Sequence, residues 1–328
     1  MAPLVPMSPP APLPLRRFAW GGLALVLGVI LWGAYVRATG SGAGCGDHWP
    51  LCNGEMVPRA PAVETLVEFT HRLTSGLALL FVLALALWTF RATSRGHPAR
   101  KASAFGVVFM LLEAGIGAGL VLFQLVARDP SLARGYAMSA HLVNTFLLLA
   151  ALTLAASFLS GNGPPKLRDG GSTAALFVAA AAGMILLGVS GAISALGDTL
   201  FPSGTLAEGL RQDFSPAAHV FLRLRVLHPP IAVAAAALVL GAVWNARSTH
   251  PSRHQLRWAW TVTGLVASQL VLGLANLLLL APVWIQLLHL LVADLLWMAL
   301  VRAGCIALAS PARAPVAHEA AQTVSTHP

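Results

Sequence analysis

Ala174–Leu196 reads AALFVAAAAGMILLGVSGAISAL, 23 residues without a charged side chain. A bilayer core about 30 Å thick needs roughly 20 apolar residues in helix, so this stretch predicts one transmembrane span. Seven further runs pass the same test: Phe18–Val36, Leu66–Phe90, Ala102–Leu125, Met138–Leu159, His219–Trp244, Trp258–Leu280 and Val283–Leu308. Only Ala281-Pro282 separates the last two, which predicts a tight helical hairpin. Composition agrees, with 57% of 328 residues hydrophobic and 10% charged, where globular domains carry about 25% charged. The expected fold class is all-α and integral to a membrane, with eight transmembrane helices.

Charge follows the same division. Arg16, Arg17, Arg91, Arg95, Arg100, Lys101, Lys166, Arg168, Arg247, Arg253, Arg257, Arg302 and Arg313 fall on one side if every run spans. Asp47, Glu55, Glu64, Asp129, Asp198, Glu208 and Asp213 fall on the other. Basic loops stay in the cytoplasm, so both termini are expected there and loops 37–65 and 197–218 outside, in a cell (plasma) membrane protein. The net charge of +9 therefore reflects topology, and a nucleic-acid partner is excluded. No small-residue cleavage site closes the first run, so it reads as a retained helix and not a signal peptide. The Gly42–Cys45 stretch matches a lipoprotein cleavage box only without its leading Leu. Residues 1–17 and 310–328 are expected to be disordered cytoplasmic tails.

The chain repeats itself at an offset close to 157 residues. Glu68-Phe-Thr-His71 aligns with Arg225-Val-Leu-His228, Glu113-Ala-Gly-Ile-Gly117 with Gln269-Leu-Val-Leu-Gly273, and His141-Leu-Val-Asn with His289-Leu-Leu-Val at a slightly shorter offset. Four helices per unit is an even number, so the repeats run parallel about an axis along the membrane normal. The expectation is two pseudo-two-fold related four-helix bundles, residues 18–162 and 173–309, joined by a cytoplasmic linker at 163–172.

Ionisable residues within spans are costly and so mark function. His71 and His141 lie near the outer ends of the second and fourth runs, His228 and His289 at the same depth in the sixth and eighth. Each unit thus brings two imidazoles to one height on non-adjacent helices of a bundle, where cofactors sit. Two neutral imidazoles across an apolar gap suit bis-axial ligation of haem iron. Zinc would want four ligands, or three and water, and copper a companion Cys or Met set. The ordinary alternative is that each histidine merely bonds a neighbouring helix, which fits a single histidine better than matched pairs.

Glu68 precedes His71 by one helical turn and shares its face, where it could orient the imidazole, accept protons or touch a substrate. Its counterpart Arg225 suits a haem propionate. The first unit therefore reads as a reactive pocket and the second as a stable cofactor site. Arg72 and Arg223 are either further propionate contacts or interfacial anchors. The loop Cys45-Gly-Asp-His-Trp-Pro-Leu-Cys52 permits a disulfide on the oxidising side, as a staple or as an exchanging pair. Asp47, His48 and Trp49 read as loop packing, and Cys305 as a small hydrophobe.

Gly33-Ala-Tyr-Val-Arg37-Ala-Thr-Gly40, Trp49-Pro-Leu-Cys52, Glu68-x-x-His71-Arg72 and the later histidines together resemble the haem A synthase (CtaA/Cox15) family over nearly all of residues 18–308. The resemblance implies oxidation of the C8 methyl group of haem O to a formyl group by successive hydroxylation, giving haem A for cytochrome oxidase. It implies that His228 and His289 hold a resident haem b, that His71 and His141 receive the substrate haem, that Glu68 is catalytic, and that Cys45 and Cys52 are bridged. It also implies membrane lipid, a haem O synthase, an electron donor and a further copy of the chain as partners. His228 is followed by Pro229 where the family often has Arg, which makes nearby His219 the reserve ligand.

Two other functions compete. A di-haem b-type electron-transfer protein would place ligands near both membrane faces, whereas these histidines gather toward one. A transporter would need a polar midplane path, and Glu113, Gln269, Asn276 and Asp294 read instead as helix–helix hydrogen bonds.

Overall fold

The computed structural model describes residues 10–249 and 251–309. Among them are ten α-helices: α1 (Leu13–Ala38), α2 (Val63–Ala92), α3 (Pro98–Leu122), α4 (Leu132–Leu159), α5 (Gly171–Leu200), α6 (Leu206–Asp213), α7 (Val220–Arg225), α8 (His228–Thr249), α9 (Arg253–Leu278) and α10 (Val283–Ala309). Eight segments are long and apolar enough to cross a membrane, α7 and α8 making up one of them. The protein is an all-α, multi-pass membrane protein. The disorder expected of residues 1–9 and 310–328 lies outside the described residues.

Polar and proline punctuation sets the helix ends. α1 begins five residues before the expected Phe18 and takes Arg16 and Arg17 into the helix. Its first turn carries Pro14, at a position where a missing N–H costs nothing. α4 starts at Leu132, ahead of the expected Met138, because Ser131 Oγ accepts from Arg134 N at 3.2 Å and satisfies an orphan donor. His97 caps α3 by accepting from Ala99 N at 3.2 Å; burial pushes its pKa below the ordinary value, toward the neutral form that can accept.

The sixth apolar run differs from its expected course. It breaks at Val226-Leu227 into α7 and α8. Pro229 and Pro230 explain the break, since neither has an N–H to continue the ladder and each restricts the residue before it. His228 thereby stands at the head of α8 and not inside a continuous helix.

α1, α4, α5 and α10 form the centre, each touching the other three. Trp297 of α10 donates to Phe146 O of α4 at 2.7 Å and stacks on the Phe146 ring at 5.0 Å. α5 approaches α4 through Gly188, where a Cβ would stand 2.5 Å from Leu142 Cδ2; small residues permit this close packing in lipid. α2 and α3 flank the centre on one side, α8 and α9 on the other.

Candidate functional site: a cavity holding two histidine pairs

A cavity of about 1540 Å³ opens within the bundle, lined by His71, His141, His228 and His289 together. Ordinary ligand pockets run to about 300–1,000 Å³, so this one has room for more than one small ligand. Apart from its polar groups the wall is apolar, mostly aliphatic with Trp49, Phe69, Phe146 and Phe214.

Each histidine has its own support. His71 on α2 lies against Gly33 of α1, where a Cβ would come within 2.8 Å of the ring. His141 Nδ1 lies 3.1 Å from Glu113 Oε1, and Glu113 also accepts from Thr145 Oγ1 and Asn144 Nδ2, each at 2.5 Å. His228 Nδ1 lies 2.9 Å from Ser190 Oγ, whose own hydrogen goes to Leu187 O at 2.8 Å. With the Ser190 hydrogen on Leu187 O, Oγ accepts from Nδ1–H of His228, the tautomer in which Nε2 keeps its lone pair. His289 Nε2 lies 3.2 Å from the Gln269 amide nitrogen. Gly191 and Gly273 face His228 and His289 as Gly33 faces His71, with a would-be Cβ 3.2 Å from each ring.

Glu113 and Gln269 thus contact histidines from repeat-matched positions, Glu113 at Nδ1 of His141 and Gln269 at Nε2 of His289, a role the expectation of plain helix–helix bonding missed. The signal lay in the sequence, because both stand at repeat-matched positions on the helix preceding a histidine. Ser190 left no comparable signal, since its partner is on another helix 38 residues away. Asp294 corrects the expectation in the other direction: it is fully buried and lines the cavity, yet neither carboxyl oxygen has a partner among the described residues.

Glu68 is also buried and lines the cavity. Its Oε2 accepts from Cys45 N at 2.8 Å, and Oε1 from Arg72 Nη2 at 2.5 Å and Nε at 3.1 Å. Arg72 Nη1 in turn donates to His48 O and Leu51 O, both at 2.6 Å. Cys45 and Cys52 are disulfide-bonded, so the loop they close is held to α2 by the Glu68–Arg72 pair. Trp49 and Pro50 reach from this loop to the cavity, beyond the loop packing expected of Trp49.

The two arginines expected to meet propionates both line the cavity, with most of their N–H groups on protein acceptors. Arg72 spends four of its five N–H groups on Glu68 and the loop. Arg225 binds Asp213 with Nε at 3.0 Å and Nη2 at 2.5 Å, and Asp198 with Nη1 at 2.6 Å. Arg223 turns to the backbone of Pro216. His219, the reserve ligand, caps α7 by accepting from Phe221 N at 3.3 Å and packs against Phe201 and Phe221; it is not among the cavity-lining residues. Cys305 is buried, as expected.

The fold and site define a multi-pass helical membrane protein with paired histidines in one internal cavity. The chain belongs to the COX15-CtaA family of cytochrome oxidase assembly proteins, which it matches over residues 16–301. It is 50% identical over 293 residues to a protoheme IX farnesyltransferase of Thermus thermophilus, covering 89% of this chain and 48% of that protein. It is 39% identical over 124 residues to a heme A synthase of an Exiguobacterium species, 38% of this chain and 40% of that one. A heme A synthase of Alkalihalophilus pseudofirmus is 43% identical over 98 residues, 30% of this chain and 33% of that one. The chain spans about half or less of the length of these curated relatives.

Proposed function

We propose that this chain is a haem A synthase, an oxidoreductase that converts the C8 methyl group of haem O to a formyl group: two successive two-electron hydroxylations give a geminal diol that loses water, the four electrons passing to an external oxidant. One observation carries the reading: in a member of a cytochrome oxidase assembly family, four histidines from matched positions of two repeats line a single cavity. The residues fit porphyrins. Histidines come in twos, the number of axial positions on porphyrin iron, and among the described residues no group of three or more His, Cys, Asp or Glu gathers into a metal cage. Ser190 leaves Nε2 of His228 available as a ligand.

On this reading residues 18–162 and 173–309 are two bundles related by a pseudo-two-fold axis. His71 and His141 receive haem O, and His228 and His289 hold a haem b, which would supply one-electron transfer chemistry. The first pocket suits the prenylated porphyrin. Gly76 and Gly115, which line it, are exposed at the bundle surface with nothing beyond the would-be Cβ. This leaves a side opening for a prenyl chain, where the repeat positions in the second unit carry Val233 and Val271. Glu68, one turn from His71, is the carboxylate placed to take protons from the substrate. Arg72 and the Cys45 amide hold it in position, which makes the disulfide loop a structural part of the pocket.

The Thermus relative is roughly twice as long as the matched region. We assign its named prenyl transfer to the part this chain does not cover. A haem-prenylating enzyme would then supply this chain's substrate. Orientation follows the basic loops: plasma membrane, both termini cytoplasmic, and the histidine layer toward the outer face.

Purified protein should contain b-type haem, with haems O and A in the extract. Glu68→Ala should abolish haem A formation and leave the resident pigment in place. Full activity in that variant would overturn the catalytic assignment.

A further inference from the structure

Arg37 closes the last turn of α1 and lines the cavity. Its Nη1 donates to Ala195 O and Thr199 Oγ1 of α5, and its Nη2 to Gln286 Oε1 of α10, all at 2.8 Å. These three elements bear on three of the four histidines. Gly33, one turn before Arg37, faces His71; Gly191, one turn before Ala195, faces His228; and Gln286 stands one turn before His289. The guanidinium therefore sits one turn above the histidine layer, between the two pairs.

The repeat makes this position singular. Gly33 matches Gly191, and at the same offset Arg37 matches Ala195, the residue whose carbonyl it binds. A side chain that bonds its own repeat equivalent lies close to the relation between the two units. The second unit offers no guanidinium at that position. The other arginines lining the cavity, Arg72, Arg134 and Arg225, are bound to carboxylates or to loop carbonyls, whereas Arg37, carried by the first unit, bonds helices of the second.

The charge has no direct counter-ion. All three acceptors are neutral, and among the described residues no carboxylate lies within ion-pair distance of Arg37. Asp198, the acid that acts on it electrostatically, gives Oδ1 to Arg225 at 2.6 Å. Three of the five N–H groups are used, and Nε–H and one Nη2 hydrogen have no acceptor among the described residues. Arginine presents such donors to carboxylates in a planar fork. An uncompensated guanidinium within a span is costly unless a ligand completes it.

We propose that Arg37 is a positioning residue shared by the two pockets, binding the carboxylate edge of a porphyrin and tying the placement of one ligand to the other. The proposal rests on the haem reading above, and replaces Arg72 and Arg225 as the residues that recognise the porphyrin acids. α1 brings the cation to the first pocket, while its bonds to α5 and α10 hold it against the second. A ligand that draws on Arg37 from one side thus acts on helices that carry the other side's histidines.

The test titrates full-length protein in lipid nanodiscs with ferric haem B and with its dimethyl ester, which keeps the iron and loses both acids. Wild type should bind the free acid about tenfold more tightly than the ester. Arg37→Gln should bind the two alike, and should also lower the midpoint potential of the resident pigment, because a positive charge beside it is gone. Arg37→Lys, which keeps the charge without the fork, should retain part of the preference and is read if Arg37→Gln does not assemble. Equal binding of acid and ester by wild type overturns the proposal, as does a full acid preference in either variant. A strut without ligand contact would weaken acid and ester equally and leave their ratio unchanged, which also overturns it. If His71→Ala changes the binding of neither compound, the failure belongs to the haem reading.

Discussion

Removing the Glu113 carboxylate separates the support of one histidine from the integrity of the bundle. In Glu113→Ala, His141 loses its 3.1 Å contact, and Asn144 and Thr145 each lose a 2.5 Å bond. Neither of these two is left orphaned, because Asn144 still donates to Phe109 O and Thr145 to His141 O, both at 2.9 Å. The stability cost should therefore be about 1–3 kcal/mol, well below the sum of three bonds to a charged acceptor. Orientation of His141 is a different matter, since partners behind a ligating histidine are worth about 10–100-fold in affinity. Glu113→Gln restores the residue type of the second unit and keeps an acceptor, so its effect should shrink to about fivefold. The assay is a Soret-band titration with ferric haem, with a thermal melt on the same samples. Affinity unchanged in Glu113→Ala would refute the supporting role. Equal loss from both pockets would show that the substitution acts on the whole bundle and refute the separation argued here.

Ser190→Ala should loosen the second pocket alone, with about 10–100-fold weaker retention of its pigment; dissociation to apomyoglobin measures it, and unchanged retention would remove Ser190 from the site. Asp294→Leu should raise thermal stability by about 1–3 kcal/mol, because it removes a buried carboxyl with no partner among the described residues. Destabilisation there would mean that a ligand or water completes Asp294 in the membrane. Cys45→Ala with Cys52→Ala opens a loop with a sequence separation of 7, worth about 2–3 kcal/mol of chain entropy. The same change should lower haem A formation through Glu68, whose Oε2 rests on the Cys45 amide; full activity would break that link.

Several features were legible because they depend on local chemistry. Span length and uncharged runs fix helices in lipid, since a backbone there must satisfy itself, and the eight predicted runs correspond to the eight spanning segments. Their ends shifted where capping did, as at Ser131, or where proline allowed an earlier start, as at Leu13. The break before His228 was also written locally, in Pro229-Pro230. The choice between His219 and His228 was not, because it depends on which ring the broken segment turns inward.

The sequence by itself determined an all-α membrane protein, its internal repeat, and the histidines that the repeat matches. These follow from hydropathy and spacing, which act along one chain segment at a time. Only the tertiary structure decided what each polar side chain meets. Arg225 looks free in one dimension, yet Asp198 and Asp213 on nearby segments claim it. Arg37 reads as part of a motif at the end of one helix, yet bonds residues 158 and 249 positions away. Hydrogen bonds act over about 3 Å, so partners on different helices are set by packing, and no period in the sequence encodes them.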